Sequence, residues 1–180
     1  IARKVDELRQ HRAEATAARQ RGDLSAAIFD NVVRAVVQSY DPVFGGFGEA
    51  PKFPHADSID LLLYAHRRNG DPDLLHMARK TLELMAAGGV FDHEWGGFFR
   101  YATQRDWSEP HYEKMLEDNA GLLRNLLALH RASGDPRPGE SPPATAHAAA
   151  ATRVIEYVSA KLRAPERGFF FGSQDADEEF

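Results

Sequence analysis

Apolar residues recur every three or four positions along most of this chain, and glycine or proline interrupts the pattern at intervals. This spacing is typical of amphipathic helices, whose apolar stripe faces a core. The pattern predicts six helices, which span residues 2–20, 24–39, 59–69, 73–87, 112–133 and 145–162. Asp57 or Ser58 is expected to cap the third helix, and Asp71 with Pro72 to begin the fourth, because these residue types suit the free N–H groups of a first turn.

Three stretches between the helices lack the helical pattern. Residues 40–58 are rich in proline and glycine, and residues 135–143, DPRPGESPP, form a polar connector that predicts a disordered loop. Residues 92–119, DHEWGGFFRYATQRDWSEPHYEKMLEDN, are dense in aromatic and titratable side chains. A loop this long in a compact chain is more often functional than idle, so we expect it to line a pocket.

A glycine-aromatic motif occurs three times, each time after a pair of predicted helices. Gly45 and Gly96 are 51 positions apart, and matching Gly97 to Gly168 gives a second spacing of 71. The repeat unit is therefore a helical hairpin with a return loop, and such hairpins stack so that their loops share one face. The three copies are Phe44–Phe47, Trp95–Phe99 and Arg167–Phe171.

Composition and charge exclude several classes of protein. A length of 180 residues with 43% hydrophobic and 27% charged side chains suits one globular domain. The sequence contains neither a membrane-length apolar run nor a signal region at its amino end, so we expect a cytoplasmic protein that does not bind membranes. A net charge of −5 argues against nucleic acid, and the lack of cysteine excludes thiol chemistry within this chain. We expect no metal and no cofactor.

Three long motifs resemble the YyaL and spermatogenesis-associated thioredoxin-like protein family: GGFGEAPKFP at 45–54, DHEWGGFFRYATQRDWSEPHYEKMLEDNA at 92–120 and GFFFGSQDADEE at 168–179. Members of this family have a thioredoxin-like domain followed by an (α/α)6 toroid similar to six-hairpin glycosidases and N-acylglucosamine 2-epimerases. The resemblance implies an all-α fold in which residues 1–180 form about half of such a toroid. The thioredoxin-like domain and the later hairpins would lie outside this chain. An open half toroid would leave an apolar flank that either self-associates with another copy or lacks its partner segment.

The chain departs from the family pattern at four positions. The family usually has a glycine where this chain has Trp95, a histidine at Phe99, an aspartate at Gln104 and an aromatic residue at Glu117. The histidine replaced by Phe99 would be an obvious general base, so the resemblance leaves the activity open at this position.

Imidazole and carboxylate groups in the loops are the candidates for acid–base catalysis. His111 and Glu113 are expected at the amino end of the fifth helix on the loop face, although the helix dipole also favours Glu113 there as a cap. Asp175 or Asp177 paired with Glu113 would suit hydrolysis or epimerisation. His93 follows Asp92 near a helix end, which suits proton transfer or simple stabilisation by the dipole.

The candidates for ligand binding are aromatic and charged residues of the two long loops: Arg100, Tyr101, Trp107, Lys114, Glu49 and Lys52. A ring can cover the apolar face of a polar ligand while a guanidinium binds its oxygens. Packing of Tyr101 and Trp107 within their own loop is the alternative, and a surface ion pair is the simpler account of Glu49 and Lys52. Asp118 and Asn119 are expected to bind the backbone of a neighbouring Gly-Gly-Phe loop, because buried polar groups are hydrogen-bonded.

Two functions are consistent with these patterns. The first is an enzyme-like pocket for a sugar or similar polyol, with epimerase-, isomerase- or glycosidase-like acid–base chemistry on a small molecule. The alternative is a non-catalytic scaffold that binds a ligand or a protein and accompanies a thioredoxin-like domain. Fold analogy does not distinguish between them.

Overall fold

The computed structural model describes residues 26–134 and 145–176. The chain divides into two compact units, residues 1–32 and residues 33–180, and the described part of the first unit, residues 26–32, is helical. The candidate site lies within the second unit. The predicted helix at 2–20, the connector at 135–143 and Asp177 lie outside the described residues.

The described part of the chain is dominated by α-helices, as the apolar spacing predicts. Their bounds are α1 (Ala26–Gln38), α2 (Ala56–Asn69), α3 (Pro72–Ala87), α4 (Leu116–Ala132) and α5 (Ala146–Tyr157), and α5 continues as a π-helical turn at Val158–Leu162. The predicted start of the fifth helix at residue 112 is wrong. Residues 114 and 115 are a short strand instead, because their backbone pairs with residues 173 and 174.

The two predicted helix caps have different outcomes. Asp71 accepts a hydrogen bond from the Asp73 backbone N–H at 3.0 Å, and Pro72 follows it, so this prediction is confirmed. The prediction for α2 is wrong, because neither Asp57 nor Ser58 caps that helix. The cap position belongs to His55, whose side chain makes no capping hydrogen bond.

The helices form two antiparallel hairpins, α2–α3 and α4–α5, around one core. Helix α4 packs against both α2 and α5, and α3 packs against α2, α4 and α5. The residues that fill the space between them are fully buried aliphatic side chains of the kind that the apolar stripes predict: Leu62, Leu82, Met85, Leu122, Leu126, Leu129 and Val154.

Three loops meet at one end of the helices, and short strand pairs form within and between them. We call them loop 1 (residues 40–55), loop 2 (residues 88–115) and loop 3 (residues 163–176). The antiparallel pairs are β1 (Tyr101–Ala102) with β2 (Pro110–His111), β3 (Lys114–Met115) with β6 (Ser173–Gln174), and β4 (Arg163–Ala164) with β5 (Phe169–Phe170). Since β3 pairs with β6 of loop 3 and Lys52 of loop 1 bridges to Ala102 of loop 2, the three loops share one face.

The backbone of the loops refines the repeat. Gly45 donates a hydrogen bond to the carbonyl of Asp41 at 2.9 Å, and Gly96 donates to Asp92 in the same way. In loop 3 the equivalent bond runs from Gly168 to the residue four positions earlier, at 3.1 Å. Gly168 therefore corresponds to Gly96, and the match to Gly97 was one residue out of register.

Candidate functional site

Loop 1 is organised around one aspartate. The carboxylate of Asp41 accepts hydrogen bonds from the backbone N–H groups of Val43 at 2.9 Å and Phe44 at 3.1 Å. It also accepts hydrogen bonds from Lys52 Nζ at 2.7 Å and Arg105 Nε at 2.8 Å. Burial raises the pKa of Asp41, but the bonds from Arg105, Lys52 and the backbone outweigh burial and hold this pKa well below its usual range.

Loop 2 repeats this arrangement. The carboxylate of Asp92 accepts from the backbone N–H groups of Glu94 at 2.8 Å and Trp95 at 2.9 Å, and from Lys114 Nζ at 2.5 Å. Lys114 also donates to the carbonyl of Gly96 at 3.0 Å. Burial raises the pKa of Asp92, but these hydrogen bonds lower it by more, so Asp92 is an anion that closes its own loop.

The two lysines predicted to bind a ligand form ion pairs in the protein interior. Lys52 and Lys114 are both fully buried, each paired with the aspartate of its own loop. The prediction that they bind a ligand has no support in this geometry, because no part of either side chain is exposed. The predicted surface ion pair between Glu49 and Lys52 is also wrong, since Lys52 binds Asp41 while Glu49 is exposed.

Trp107 is likewise fully buried between loops 1 and 2. Its Nε1 donates a hydrogen bond to the carbonyl of Phe44 at 2.8 Å. A Cβ added to Gly46 would overlap the Trp107 ring, which shows how closely the indole covers that glycine. Trp107 therefore packs one loop onto the next, and its predicted contact with a ligand has no support in this geometry.

A backbone bridge aligns loops 1 and 2. Lys52 N–H donates to the carbonyl of Ala102 at 2.8 Å, and Ala102 N–H donates to the carbonyl of Lys52 at 3.0 Å. This antiparallel register places Phe53 opposite Tyr101, and the two ring centroids are 4.8 Å apart. The buried lysine thus has two roles, since its side chain closes loop 1 while its backbone holds loop 2.

Five rings form a continuous row across the two loops, which we call the aromatic row: Phe47, His55, Phe53, Tyr101 and His111. The Tyr101 and His111 rings are stacked, with centroids 4.8 Å apart and an angle of 17° between their planes. The centroid of His55 lies 6.3 Å from those of both Phe47 and Phe53. Nδ1 of His111 is buried and has no hydrogen-bond partner in the described part of the chain.

An ion pair and a strand register bring charged groups to the same face. Arg100 Nη1 donates to Glu113 Oε2 at 2.7 Å, and Arg100 N–H donates to the carbonyl of Glu113 at 2.8 Å. The pairing of Lys114 with Gln174 places Asp175 across from Glu113, one residue beyond the paired strands. Arg100 and Asp175 are exposed, and Glu113 is half-buried.

A cavity of about 490 Å³ opens between the beginning of α2 and the beginning of α4. Phe53 and His55 of the aromatic row lie on one side of it, and Glu117 and Asp118 of α4 lie on the other. Aromatic rings facing carboxylates are a common way to hold a polar ligand with an apolar face, because the rings cover that face and the carboxylates accept from its donors.

Asp118 differs from the other carboxylates of the loop face. It is half-buried, and burial raises its pKa above the ordinary value. Arg100 opposes this shift, while the negative charges of Glu117 and Glu113 add to it. A carboxyl group that keeps its proton to a higher pH than usual, in a cavity, is a candidate proton donor.

The neighbouring amide confirms a prediction about the loops. Asn119 Oδ1 accepts from Phe98 N–H at 2.7 Å, and its Nδ2 donates to the Phe98 carbonyl at 3.0 Å. Helix α4 therefore holds the Gly-Gly-Phe segment of loop 2 directly. Asp118 does not share this role, because it faces the cavity.

None of the predicted site residues in the described part of the chain belongs to the cavity lining. His93 is exposed, and its Nε2 lies 3.1 Å from the carbonyl of Gly88. The carboxylate of Asp92 is already occupied by Lys114 and two backbone N–H groups, so the proton transfer predicted for Asp92 and His93 has no support in this geometry.

Sequence reasoning missed Asp41, His55 and the cavity role of Asp118. A signal for Asp41 was present, because Asp41 precedes Gly45 by the same interval that separates Asp92 from Gly96. His55 carried no comparable signal, since a histidine between a proline and a helix is not a recognised cap. The sequence places Asp118 beside Asn119, deeper in the helix predicted at 112–133, where both are expected to bind a neighbouring loop because an unbonded polar pair would be costly.

Two general features of the described residues limit the kinds of site. Among residues 26–134 and 145–176, no three or more His, Cys, Asp or Glu side chains are grouped to hold a metal ion. No helix in the same residues combines the length and apolarity needed to cross a membrane.

Comparison with curated proteins identifies relatives of the chain. Spermatogenesis-associated protein 20 of Homo sapiens is 34% identical over 163 residues, which cover 88% of this chain and 20% of that protein. The Mus musculus protein of the same name is 38% identical over 144 residues, covering 78% of this chain and 17% of that protein. The chain belongs to the spermatogenesis-associated protein 20 family. It spans about a fifth of the length of these relatives, and no family model matches it.

Solved structures show the fold of this member of the family. Cellobiose 2-epimerase from Spirochaeta thermophila aligns with a TM-score of 0.64 at 18% identity, over 87% of this chain and 42% of that chain. A sugar epimerase from a ruminal bacterium aligns with a TM-score of 0.62 at 22% identity, over 81% of this chain and 37% of that one. The all-α prediction and its relation to six-hairpin toroids are therefore confirmed.

Proposed function

We propose that the loop face of this protein binds a sugar or a similar polyol and performs acid–base chemistry on it. The observation that carries the proposal is the cavity of about 490 Å³ where the aromatic row meets the acidic first turn of α4. Sugars present an apolar face of C–H groups and a rim of hydroxyl groups, and this pocket offers rings for the first and carboxylates for the second.

The residues suggest separate roles in this chemistry. Asp118, whose pKa is raised by burial, would donate a proton, and Glu113, held by Arg100, would accept one or bind a hydroxyl. His111, stacked on Tyr101, would transfer a proton. Asp175, across from Glu113, would supply a further acceptor.

The reaction class that fits two such groups is epimerisation, isomerisation or glycoside hydrolysis. Each requires one group that gives a proton and one that removes a proton or activates water. The similarity in fold to a cellobiose 2-epimerase and another sugar epimerase supports the choice of a carbohydrate ligand.

A second candidate is a non-catalytic scaffold that binds a ligand or a protein and accompanies a thioredoxin-like domain. The observation that favours it is that several residues predicted for the site have structural contacts instead. The ion pairs of Lys52 and of Lys114 with Asp92 close the loops, and Trp107 is buried between loops 1 and 2. A scaffold would bind without turnover.

The test is a thermal-shift measurement on the full-length protein with a panel of monosaccharides and disaccharides. A ligand that binds only the folded state raises the melting temperature as its concentration exceeds the dissociation constant. We expect one sugar class to raise it, and we expect Glu113→Gln and His111→Ala to reduce that rise. Glu83→Gln, a change at a half-buried residue of α3 outside the cavity lining, serves as the matched control and should respond like the wild type.

Chromatographic analysis of the responding sugar then separates the two candidates. New epimer or hydrolysis product formed by the wild type and lost in Glu113→Gln supports the enzyme. Binding without product in either protein supports the scaffold. No response to any sugar would contradict the proposed ligand class.

A further inference from the structure

His55 adopts a backbone conformation that its side chain disfavours. Its φ of 49° and ψ of 55° lie in the left-handed region, which residues with a Cβ rarely enter. Glycine or asparagine would occupy this position with less strain, and a serine, aspartate or asparagine would also cap α2. The His55 side chain makes no capping hydrogen bond, so a histidine here neither relieves the backbone strain nor satisfies a free N–H group of the first turn of α2.

The surrounding structure holds the strained backbone in place from several directions. The carbonyl of Ala56 accepts a hydrogen bond from Asn125 Nδ2 of α4 at 2.8 Å. Gly121 of α4 lies so close that a Cβ there would be 2.9 Å from the Cβ of Ala56. The carbonyl of His55 accepts from Ser58 N–H at 2.9 Å. Strain that neighbours over-determine in this way is often found where it positions a functional group.

The result of this conformation is the position of the imidazole. The ring lies between Phe47 and Phe53 in the aromatic row and lines the cavity that Glu117 and Asp118 line from the other side. His55 is exposed, and no hydrogen bond from another described residue reaches its ring nitrogens. A neutral imidazole has one donor and one acceptor, which matches the two roles of a hydroxyl group.

We propose that His55 is a ligand-contacting residue of this cavity, whose imidazole forms a hydrogen bond with a hydroxyl group of the bound polyol opposite Asp118. The inference rests on the proposed function and adds to it a specificity-determining residue on the aromatic side. The left-handed backbone is kept because it aims the ring into the cavity.

The experiment uses variants that separate strain from ligand binding. His55→Gly and His55→Asn both tolerate the left-handed backbone, so we expect the melting temperature without ligand to stay the same or rise. Both remove the imidazole, so we expect the dissociation constant for the responding polyol, measured by calorimetry, to increase by about tenfold, the equivalent of one lost hydrogen bond.

Glu109→Gly is the matched control, because Glu109 has a similar φ of 52° in loop 2 but does not line the cavity. It should leave the polyol affinity unchanged. Wild-type affinity in both His55 variants would overturn the assignment of His55 while leaving the proposed function intact. A large fall in melting temperature in both variants would show a structural role and overturn it as well. If the wild type binds no polyol, the proposed function and this inference fail together.

Discussion

Two buried lysines decide how the loops of this protein are built. Each lies within hydrogen-bonding distance of an aspartate from its own loop, at separations of 11 residues for Lys52 and Asp41 and 22 residues for Lys114 and Asp92. A buried charge is tolerated only when it is paired and its remaining donors or acceptors are bonded. The backbone N–H groups that also bind each aspartate satisfy this condition.

Breaking one of these pairs should be strongly destabilising. We expect Asp41→Asn to lower the free energy of unfolding by about 3–5 kcal/mol, because it leaves the Lys52 ammonium buried without its counter-charge. Urea unfolding followed by circular dichroism measures the change. The partly exposed pair between Arg79 and Glu83 supplies the comparison, since Glu83→Ala should cost about 1 kcal/mol or less. Similar losses in both variants would contradict the buried-pair account.

The pKa of Asp118 predicts a dependence of stability on pH. This pKa is higher in the folded protein than in the unfolded chain, so the folded state binds more protons and loses stability as the pH rises through the folded pKa. Asp118→Asn removes this loss. We expect the variant to melt at a higher temperature than the wild type at pH 7.

The difference should disappear below about pH 4, where Asp118 is protonated in both states. Melting curves between pH 3 and pH 8, about the range in which carboxylates and histidines titrate, measure it. Glu117→Gln, an exposed change in the same turn, should show a smaller gain, because it removes only one of the negative charges that raise the pKa of Asp118. A lower melting temperature for Asp118→Asn at pH 7 would show that the ionised carboxylate stabilises the fold.

At the scale of elements, the helices followed from sequence and the short strands did not. Periodic apolar residues predict α2, α3 and α4 because burial of one face is a local pattern. Strand β3 was predicted as helix, since Lys114 and Met115 suit either structure by themselves. Its backbone bonds to residues 173 and 174, far along the chain, and these decide the outcome.

The glycine loops differ in what lies against them, although their backbone conformation is alike. Gly97 has a φ of 78°, and a Cβ added to it would lie 2.5 Å from Cδ1 of Tyr157. Gly168 has a φ of 70°, but nothing lies within 4 Å of an added Cβ. Strain alone therefore opposes a side chain at Gly168, whereas strain and overlap both oppose one at Gly97.

This difference predicts unequal effects of the same substitution. Gly168→Ala should lower the free energy of unfolding by about 1–2 kcal/mol, the strain of a left-handed alanine. Gly97→Ala should cost about 1–3 kcal/mol more, because the ring of Tyr157 must also move. Chemical denaturation of both variants measures the two losses. Equal losses would contradict this account, because they would mean that the Tyr157 ring moves aside without an energetic cost.

At the scale of the whole molecule, the three loops are not covered to the same extent. Phe47 and Phe98 occupy equivalent positions in loops 1 and 2 and are 6% and 0% exposed, whereas Phe170 in loop 3 is 48% exposed. The Trp107 ring covers Gly46 of loop 1, and the Tyr157 ring covers Gly97 of loop 2. Phe169 and Phe171 are exposed beside Phe170, which makes loop 3 an apolar surface.

We expect the 180-residue chain to self-associate through this surface. Sedimentation velocity over a range of concentrations should show association that decreases in Phe169→Ser with Phe171→Ser, because the change removes two exposed rings. Val43→Ser, which alters an exposed apolar residue of loop 1, is the control and should associate like the wild type. Unchanged association in the double variant would place the contact elsewhere.

The sequence by itself determined the helices, the order of the hairpins, the glycine-aromatic repeat and the family. These features depend on local spacing or on motifs of consecutive residues, so they can be recognised without knowing which distant residues are in contact. The bonds of Asn119 to the neighbouring loop were also predictable, because a buried amide in a helix must find a partner.

Only the tertiary structure decided which charges are buried and where the cavity lies. Asp41 is held in part by Arg105, 64 residues away, and His55 takes its strained conformation beside a peptide bound by Asn125, 69 residues from Ala56. Charged residues have the same local pattern whether they face water or a partner. Their roles depend on the packing of distant segments, and that packing is absent from the spacing of residues along the chain.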